Sequence, residues 1–322
     1  MTTSDHKVEV SVIIAAYNCA LFVDRAINSA LSQEGVCLEV IVVDDCSTDN
    51  SAEVIQKMAE QDTRIRFVQL EKNGGPSAAR NAGIIASHGA WISVLDADDA
   101  FLPNRLSRLL AVGNLQNADI VADNFIYFDA DTAAARSPAL LTSPREQTIS
   151  LHSFLRQARP YAAEPDFGLL KPFYRRSFLD RHAIRYRTEY RHGEDFLIYT
   201  DILRHGGVFT LVREPGYLYT TRSSGLSKTV IDYSRQVNAV NDLLQEADFV
   251  GDPETQRLLI ERRKALIRLS VERRCAKSLA ERRYASLFFS ALTDHANADI
   301  PLAIIKKMVR KKLSLHQRRR IK

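Results

Sequence analysis

Between residues 8 and 113, short β-branched runs alternate with stretches of helical period, and no other feature restricts the fold of this chain as strongly. Parallel strands need a long crossover between them, usually a helix, so the alternation predicts a mostly parallel sheet covered by helices. Strands are expected near 8–15, 38–43, 65–69 and 90–95, with a further one over Ile120–Phe128. Helix starts are signalled by Asn18, by Ser47 and Asp49, and by Pro76, each ahead of apolar residues at helical spacing; Pro103 opens another helix. Residues 129–149, rich in Ala, Thr, Ser and Pro, read as a surface loop or weak joint. Beyond it, 150–225 mixes short helices with aromatic strands at Gly207–Val212 and Gly216–Thr221, and 230–316 is helical in period. With 322 residues, 45% of them hydrophobic, the chain can bury a full core.

Two acidic clusters stand at the ends of these strands. Leu95-Asp96-Ala97-Asp98-Asp99 follows Ala90–Leu95, and Asp44-Asp45 follows Val40–Val43. So much negative charge at the end of a buried strand is costly unless a cation or hydrogen-bond donors meet it. Open α/β sheets bind ligands at the carboxyl ends of their strands, so two acidic strand ends imply one site for a divalent metal and a polar ligand.

Four ordered motifs complete the pattern: Val10–Asn18, Val43–Asp49, Gly74–Gly83 and Leu95–Asp99. Together they resemble the inverting family 2 glycosyltransferases, closely over 8–113 and more loosely over 160–228. The looser part, with Lys171-Pro172-Phe173-Tyr174-Arg175-Arg176 and Gly193-Glu194-Asp195-Phe196, is similar to transferases of bacterial exopolysaccharide, of the succinoglycan type. The resemblance implies an α/β GT-A fold, Rossmann-like, with a mostly parallel central sheet and a helical C-terminal extension. A catalytic domain is expected over 1–228, its donor nucleotide and metal half at 8–128 and its acceptor half at 150–228. A helical region with a basic amphipathic tail then fills 229–322.

The resemblance also distributes roles. Asp98 would hold Mg²⁺ or Mn²⁺, hard cations that prefer oxygen and bridge phosphates, while Asp96 lies near the donor ribose or the metal's water shell. Asp99 either joins them or caps the helix that Pro103 starts. Asp45 would accept a hydrogen bond from the uracil N3–H, with Tyr17 against the base and Ala15 lining the same wall. Alternatively, Asp44 and Asp45 only make an Asx turn. Arg80, early in a helix after a Gly-Gly-Pro turn, would touch the diphosphate or donor sugar. Asp195 matches the base that deprotonates the acceptor hydroxyl, with Glu194 assisting; two acids stabilising a helix start by its dipole would look the same. Arg222 falls where relatives close a mobile loop over the diphosphate, although the histidine common there is absent from 216–228. His192 reads as an acceptor-side or plain surface residue.

The implied cofactors are the metal and a UDP-sugar donor, with UDP-glucose the first expectation and a lipid-linked oligosaccharide or other surface-glycan intermediate as acceptor. The single tryptophan, Trp91, sits inside a strand, so the Gln-x-x-Arg-Trp element of processive synthases is missing and one sugar per encounter is expected. The net charge of +5 belongs to the end of the chain: residues 301–322 hold nine Lys and Arg and no acid, which leaves −4 for the rest. Leu302, Ile305, Met308, Val309 and Leu313 share a helical face there, so this helix either lies on an anionic membrane surface or packs on the domain. Interleaved aromatics are absent, which argues against nucleic acid. Four cysteines without CxxC spacing and no apolar leader point to a cytoplasmic protein, peripheral at the inner membrane at most. Two other readings stay open: an aspartate-dependent phosphotransferase or phosphohydrolase with Asp96 as nucleophile, and an inactive nucleotide-binding protein that recruits partners to a membrane.

Overall fold

A computed structural model describes residues 7–141, 145–222 and 233–281. The first half follows the predicted alternation: β1 (Val10–Ala16), α1 (Val23–Leu31), β2 (Leu38–Asp44), α2 (Ser51–Gln61), β3 (Ile65–Gln69), α3 (Pro76–Ala86) and β4 (Trp91–Asp96). These strands pair in parallel in the order β3-β2-β1-β4. Alternation along β2 sends successive side chains to opposite faces. Val40 and Val42 join the main core with Ala26 and Ile27 of α1, whereas Ile41 and Val43 form a separate cluster with Ala79 of α3. Helices therefore cover both faces, which is why these strands read as continuous apolar runs. Gly83 lets α3 lie against the sheet, since a Cβ there would stand 2.5 Å from Ile13 Cγ2.

The second half adds strands to the same sheet. After β5 (Ala100–Phe101) and α4 (Arg105–Leu115) come β6 (Ile120–Asp129), β7 (Ala134–Pro138), β8 (Glu146–Ile149), α5 (Leu151–Gln157), β9 (Pro172–Arg175), α6 (Arg176–Arg181), α7 (Glu194–Arg204) and β10 (Phe209–Thr221). The order continues β4-β9-β6-β10-β5, with β9 antiparallel to both its neighbours and β6 parallel to β10. Strands of the expected donor and acceptor halves thus interleave. Trp91 of β4 stacks on Phe173 of β9 at 4.8 Å, and the Arg175 guanidinium covers the indole at 4.4 Å.

Beneath the strand ends lies a fully buried ion pair. Arg105 donates Nε and Nη2 to Asp123 of β6 at 2.9–3.1 Å, Nη1 to Ser93 Oγ of β4 at 3.0 Å, and Nη2 to the Lys171 carbonyl at 3.0 Å. One guanidinium so ties α4 to two strands and fixes the backbone that enters β9.

Four local expectations need correction. The segment 129–149 contributes β7 and β8, which pair with β6 and β10. The strands expected at 207–212 and 216–221 are one strand, β10, with register shifts on either side of Pro215, where the missing N–H forces a bulge. Asn18 does not cap α1: it adopts φ +48°, and its Oδ1 accepts from Thr48 N at 2.8 Å, lacing the β1 and β2 loops together. Pro103 stands outside α4, ahead of the cap residue Asn104.

The chain ends its described part in three helices, α8 (Ser234–Gln245), α9 (Ala247–Val250) and α10 (Pro253–Ala280). They are fastened to the sheet domain by Arg187, which bridges Asp201 and Glu246 at 2.7 Å each, and by His152 against Asp252 at 3.1 Å. Among the described residues no helix is long and apolar enough to cross a membrane. The basic amphipathic segment 302–313 lies outside them.

Candidate active site

The register of the parallel strands joins the two acidic clusters. Ala16 pairs with Asp44 across β1 and β2, and Ala15 with Asp96 across β1 and β4; neighbouring strands lie about 4.8 Å apart. Both clusters therefore flank the end of β1. Tyr17, the next residue, is 48% exposed and available to a ligand. Ala15 is half-buried in the same wall.

Asp44 and Asp45 do different work. Asp44 makes the turn, accepting from Ser47 N at 3.1 Å. Asp45 instead reaches the glycine loop before α3: Gly74 N donates to its Oδ1 at 2.7 Å and Gly75 N to its Oδ2 at 2.8 Å. Gly75 takes φ +83°, open to glycine at no steric cost. Each carboxylate oxygen keeps a further lone pair for an incoming N–H donor.

The three acids after β4 also diverge. Asp96 gives Oδ1 to Arg80 Nη2 and Oδ2 to Lys171 Nζ, both at 2.8 Å. Burial would raise its pKa, but Lys171 and Arg80 hold it well below the ordinary range. Asp98 faces outward, its side chain 47% exposed with Arg222 Nη1 3.4 Å from Oδ2. Its partial burial and the charge of Asp96 push its pKa up against the pull of Arg222. Asp99 is not a helix cap: it is buried, its Oδ2 accepts from the Tyr217 hydroxyl and its Oδ1 from Thr220 N, both at 2.7 Å. Burial, then Asp96 and Asp98, hold its carboxyl well above the ordinary value.

Asp195 and Glu194 form the first turn of α7, and the chain folds them toward β4. Arg80 Nη1 lies 2.6 Å from Glu194 Oε1 and 3.3 Å from Asp195 Oδ1, while Lys171 Nζ lies 3.1 Å from Asp195 Oδ2. Tyr186 donates its hydroxyl to Asp195 Oδ1 at 3.3 Å. Burial, reinforced by Asp195, raises the Glu194 pKa against the pull of Arg80. Asp96, Lys171, Asp195 and Arg80 thus close a four-membered ring of alternating charge, in which both oxygens of both aspartates are engaged.

Arg80 is accordingly no free cation on a pocket wall; it is 3% exposed, and each terminal nitrogen meets a carboxylate. The cations nearer the open acid are Arg222, stacked on the Phe22 ring at 3.4 Å, and Arg25, whose Nη2 donates to the Asp98 carbonyl at 2.6 Å. His192 is exposed. Residues 223–227 of the expected mobile loop lie outside the described part.

Sequence reasoning gave no role to Arg25, Tyr186 or Tyr217, and named Lys171 only as part of a motif. Lys171 carried a usable signal, a lone cation directly before a buried aromatic strand, but its partners are 75 and 24 positions away. The others carried none, since an isolated Tyr or Arg looks the same on any surface.

As a donor set, the arrangement offers a hard cation one open carboxylate, that of Asp98. Among the described residues no group of three or more His, Cys, Asp or Glu gathers into a metal-holding cluster. A cation here would draw most ligands from phosphate and water, as Mg²⁺ usually does. Direct ligation by Asp96 would use the second lone pair of an oxygen already paired with Arg80 or Lys171.

Residues 11–182 match the family described as glycosyl transferase family 2. Two succinoglycan biosynthesis proteins of Rhizobium meliloti (strain 1021) are similar to this chain. ExoO is 37% identical over 226 residues, 70% of this chain but only 64% of its own length. ExoU is 37% identical over 257 residues, covering 78% of this chain and 74% of its own. The crystal structure of S. aureus TarS 1–349 in complex with UDP-GlcNAc superposes with a TM-score of 0.62 at 20% identity, over 79% of this chain and 71% of TarS. That likeness speaks to the fold alone.

Proposed function

This chain belongs to glycosyl transferase family 2, and from that premise we propose that it moves a single sugar from a UDP-sugar to a surface-glycan intermediate with inversion at the anomeric carbon. The observation that carries this reading is the union of the acidic cluster at the end of β4 with Asp195, 99 positions beyond Asp96, through the shared cations Arg80 and Lys171. In this reading one site serves both donor and acceptor.

In this reading the uracil lies by Tyr17 and the wall at Ala15, with its N3–H directed to Asp45. The diphosphate lies over Asp98, near Arg25 and Arg222. Asp98 is the residue that would hold Mg²⁺ or Mn²⁺, which when bound neutralises charge on the departing diphosphate. Asp96 organises the strand end from behind. Asp195 accepts the proton of the acceptor hydroxyl as that oxygen bonds to the anomeric carbon, and the bond to the diphosphate breaks with its electron pair on the leaving UDP. Attack from the opposite face converts an α-linked donor into a β-glycoside.

Glucose as the transferred sugar, a lipid-linked oligosaccharide as acceptor, and work at the cytoplasmic face of a membrane all belong to the same proposal. They rest on the resemblance to exopolysaccharide transferases; the names of ExoO and ExoU support succinoglycan-type biosynthesis alone, and the UDP and UDP-GlcNAc complexes of TarS support a uridine donor. The phosphotransferase alternative, with Asp96 as nucleophile, leaves Asp45 and Tyr17 without a role.

The test is release of UDP from a panel of UDP-sugars incubated with lipid-linked glycan acceptors, with and without a chelator. Asp195→Asn is expected to bind donor normally while transfer falls about 100-fold or more. Undiminished transfer by that variant would reduce Asp195 to a helix-start acid.

A further inference from the structure

The ring of alternating charge places a cation directly between the donor-side carboxylate and the candidate base. Lys171 Nζ lies 2.8 Å from Asp96 Oδ2 and 3.1 Å from Asp195 Oδ2, and its side chain is 7% exposed. Its backbone is fixed: the carbonyl accepts from buried Arg105, and the next residue enters β9. Arg80 makes the second bridge, but it also carries Glu194, which divides its hold on Asp195.

On the proposed reading of Asp195 as base, we propose that Lys171 is a positioning residue: it aims the Asp195 carboxylate and couples that aim to the state of Asp96. A carboxylate at the start of a helix rotates about χ2 unless both its oxygens are held. Here Oδ1 meets Arg80 and the Tyr186 hydroxyl, and Oδ2 meets Lys171. The ammonium is a compact charge on a flexible four-carbon stem, unlike the planar fork of Arg80. It can follow a small movement of Asp96 when an anionic diphosphate arrives at the strand end, and Asp195 follows with it. Lys171 sits behind Asp96 while the open acid Asp98 faces solvent; it therefore acts on the acceptor chemistry through Asp195 and leaves donor affinity to other groups.

A double-mutant cycle separates this role from a merely structural one. Transfer kinetics and donor binding are measured for the full chain, Lys171→Met, Asp195→Asn and the double variant, with melting temperatures for each. The expected result is a fall in kcat of at least 10-fold for Lys171→Met, with the donor KM changed less than about threefold, and a further loss under threefold when the same change is made in Asp195→Asn. Lys171→Arg, which keeps the charge, is expected to recover part of kcat. Equal losses in both backgrounds, or a donor KM raised with kcat retained, would overturn the positioning role. If Asp195→Asn itself transfers as well as the unaltered chain, the base assignment fails first, and the coupling falls with it.

Discussion

The hydroxyl of Tyr217 donates to Asp99 Oδ2 at 2.7 Å, joining the middle of the bulged strand β10 to the last acid of the strand-end cluster. The same oxygen of Tyr217 accepts from Asp96 N at 3.2 Å. The acid that sequence alone leaves between the metal site and a helix cap is thus a buried strut, and the tyrosine against it spans the turn 96–99.

Tyr217→Phe leaves the buried Asp99 with one donor fewer. A loss of stability of roughly 1–3 kcal/mol is expected, read from urea unfolding.

The pH dependence of Asp99 has a definite sign. Its folded pKa lies above the unfolded value, so between the two the folded state binds more protons. Its contribution to stability is therefore present below the ordinary carboxylate range and is lost as pH rises through the folded value. Asp99→Asn removes that dependence: its destabilisation relative to the parent chain should shrink from pH 4 to pH 8. A difference that grows with pH would contradict the assignment.

Arg80 answers three carboxylates from a buried position. Arg80→Met strands uncompensated charge, and a loss of roughly 3–5 kcal/mol is expected, with Arg80→Lys intermediate. Thermal unfolding without any nucleotide measures it.

Asp98→Ala should abolish whatever stimulation Mg²⁺ or Mn²⁺ gives to UDP release, and also the metal-dependent part of UDP binding measured by calorimetry. Retained metal dependence in that variant would move the cation to other ligands.

Asp45→Asn changes one oxygen to a donor, which faces the glycine loop and, in the proposed reading, the base. Binding of UDP should weaken by about 10-fold, in line with roughly 1–3 kcal/mol for an unpaired buried group. The preference for UDP over CDP, measured in competition, should fall with it.

Much of the fold was legible because its cause is local. Strands β1 to β4 and their crossover helices follow from the periodicity of adjacent residues, and Ile65–Gln69 matches its expected span. Where a single residue broke the pattern, the reading failed: Pro215 split one strand into two, and the weakly apolar 134–138 and 146–149 hid two edge strands. Edge strands need little hydrophobic signal because partner strands supply their hydrogen bonds.

The amino-acid sequence by itself determined the four parallel strands β1 to β4, though not their order, and the two acidic strand ends, since residue spacing places them and a buried strand cannot hide such charge within itself. Only the tertiary structure decided what each acid does. Asp96, Asp98 and Asp99 fall within four consecutive positions, yet one is clamped by two cations, one is open, and one is buried against a tyrosine. Their partners come from 80, 171, 217 and 222, and the insertion of β9 between β4 and β6 brings Lys171 to the site. Charge pairing depends on distance in space, and no local pattern in the chain encodes it.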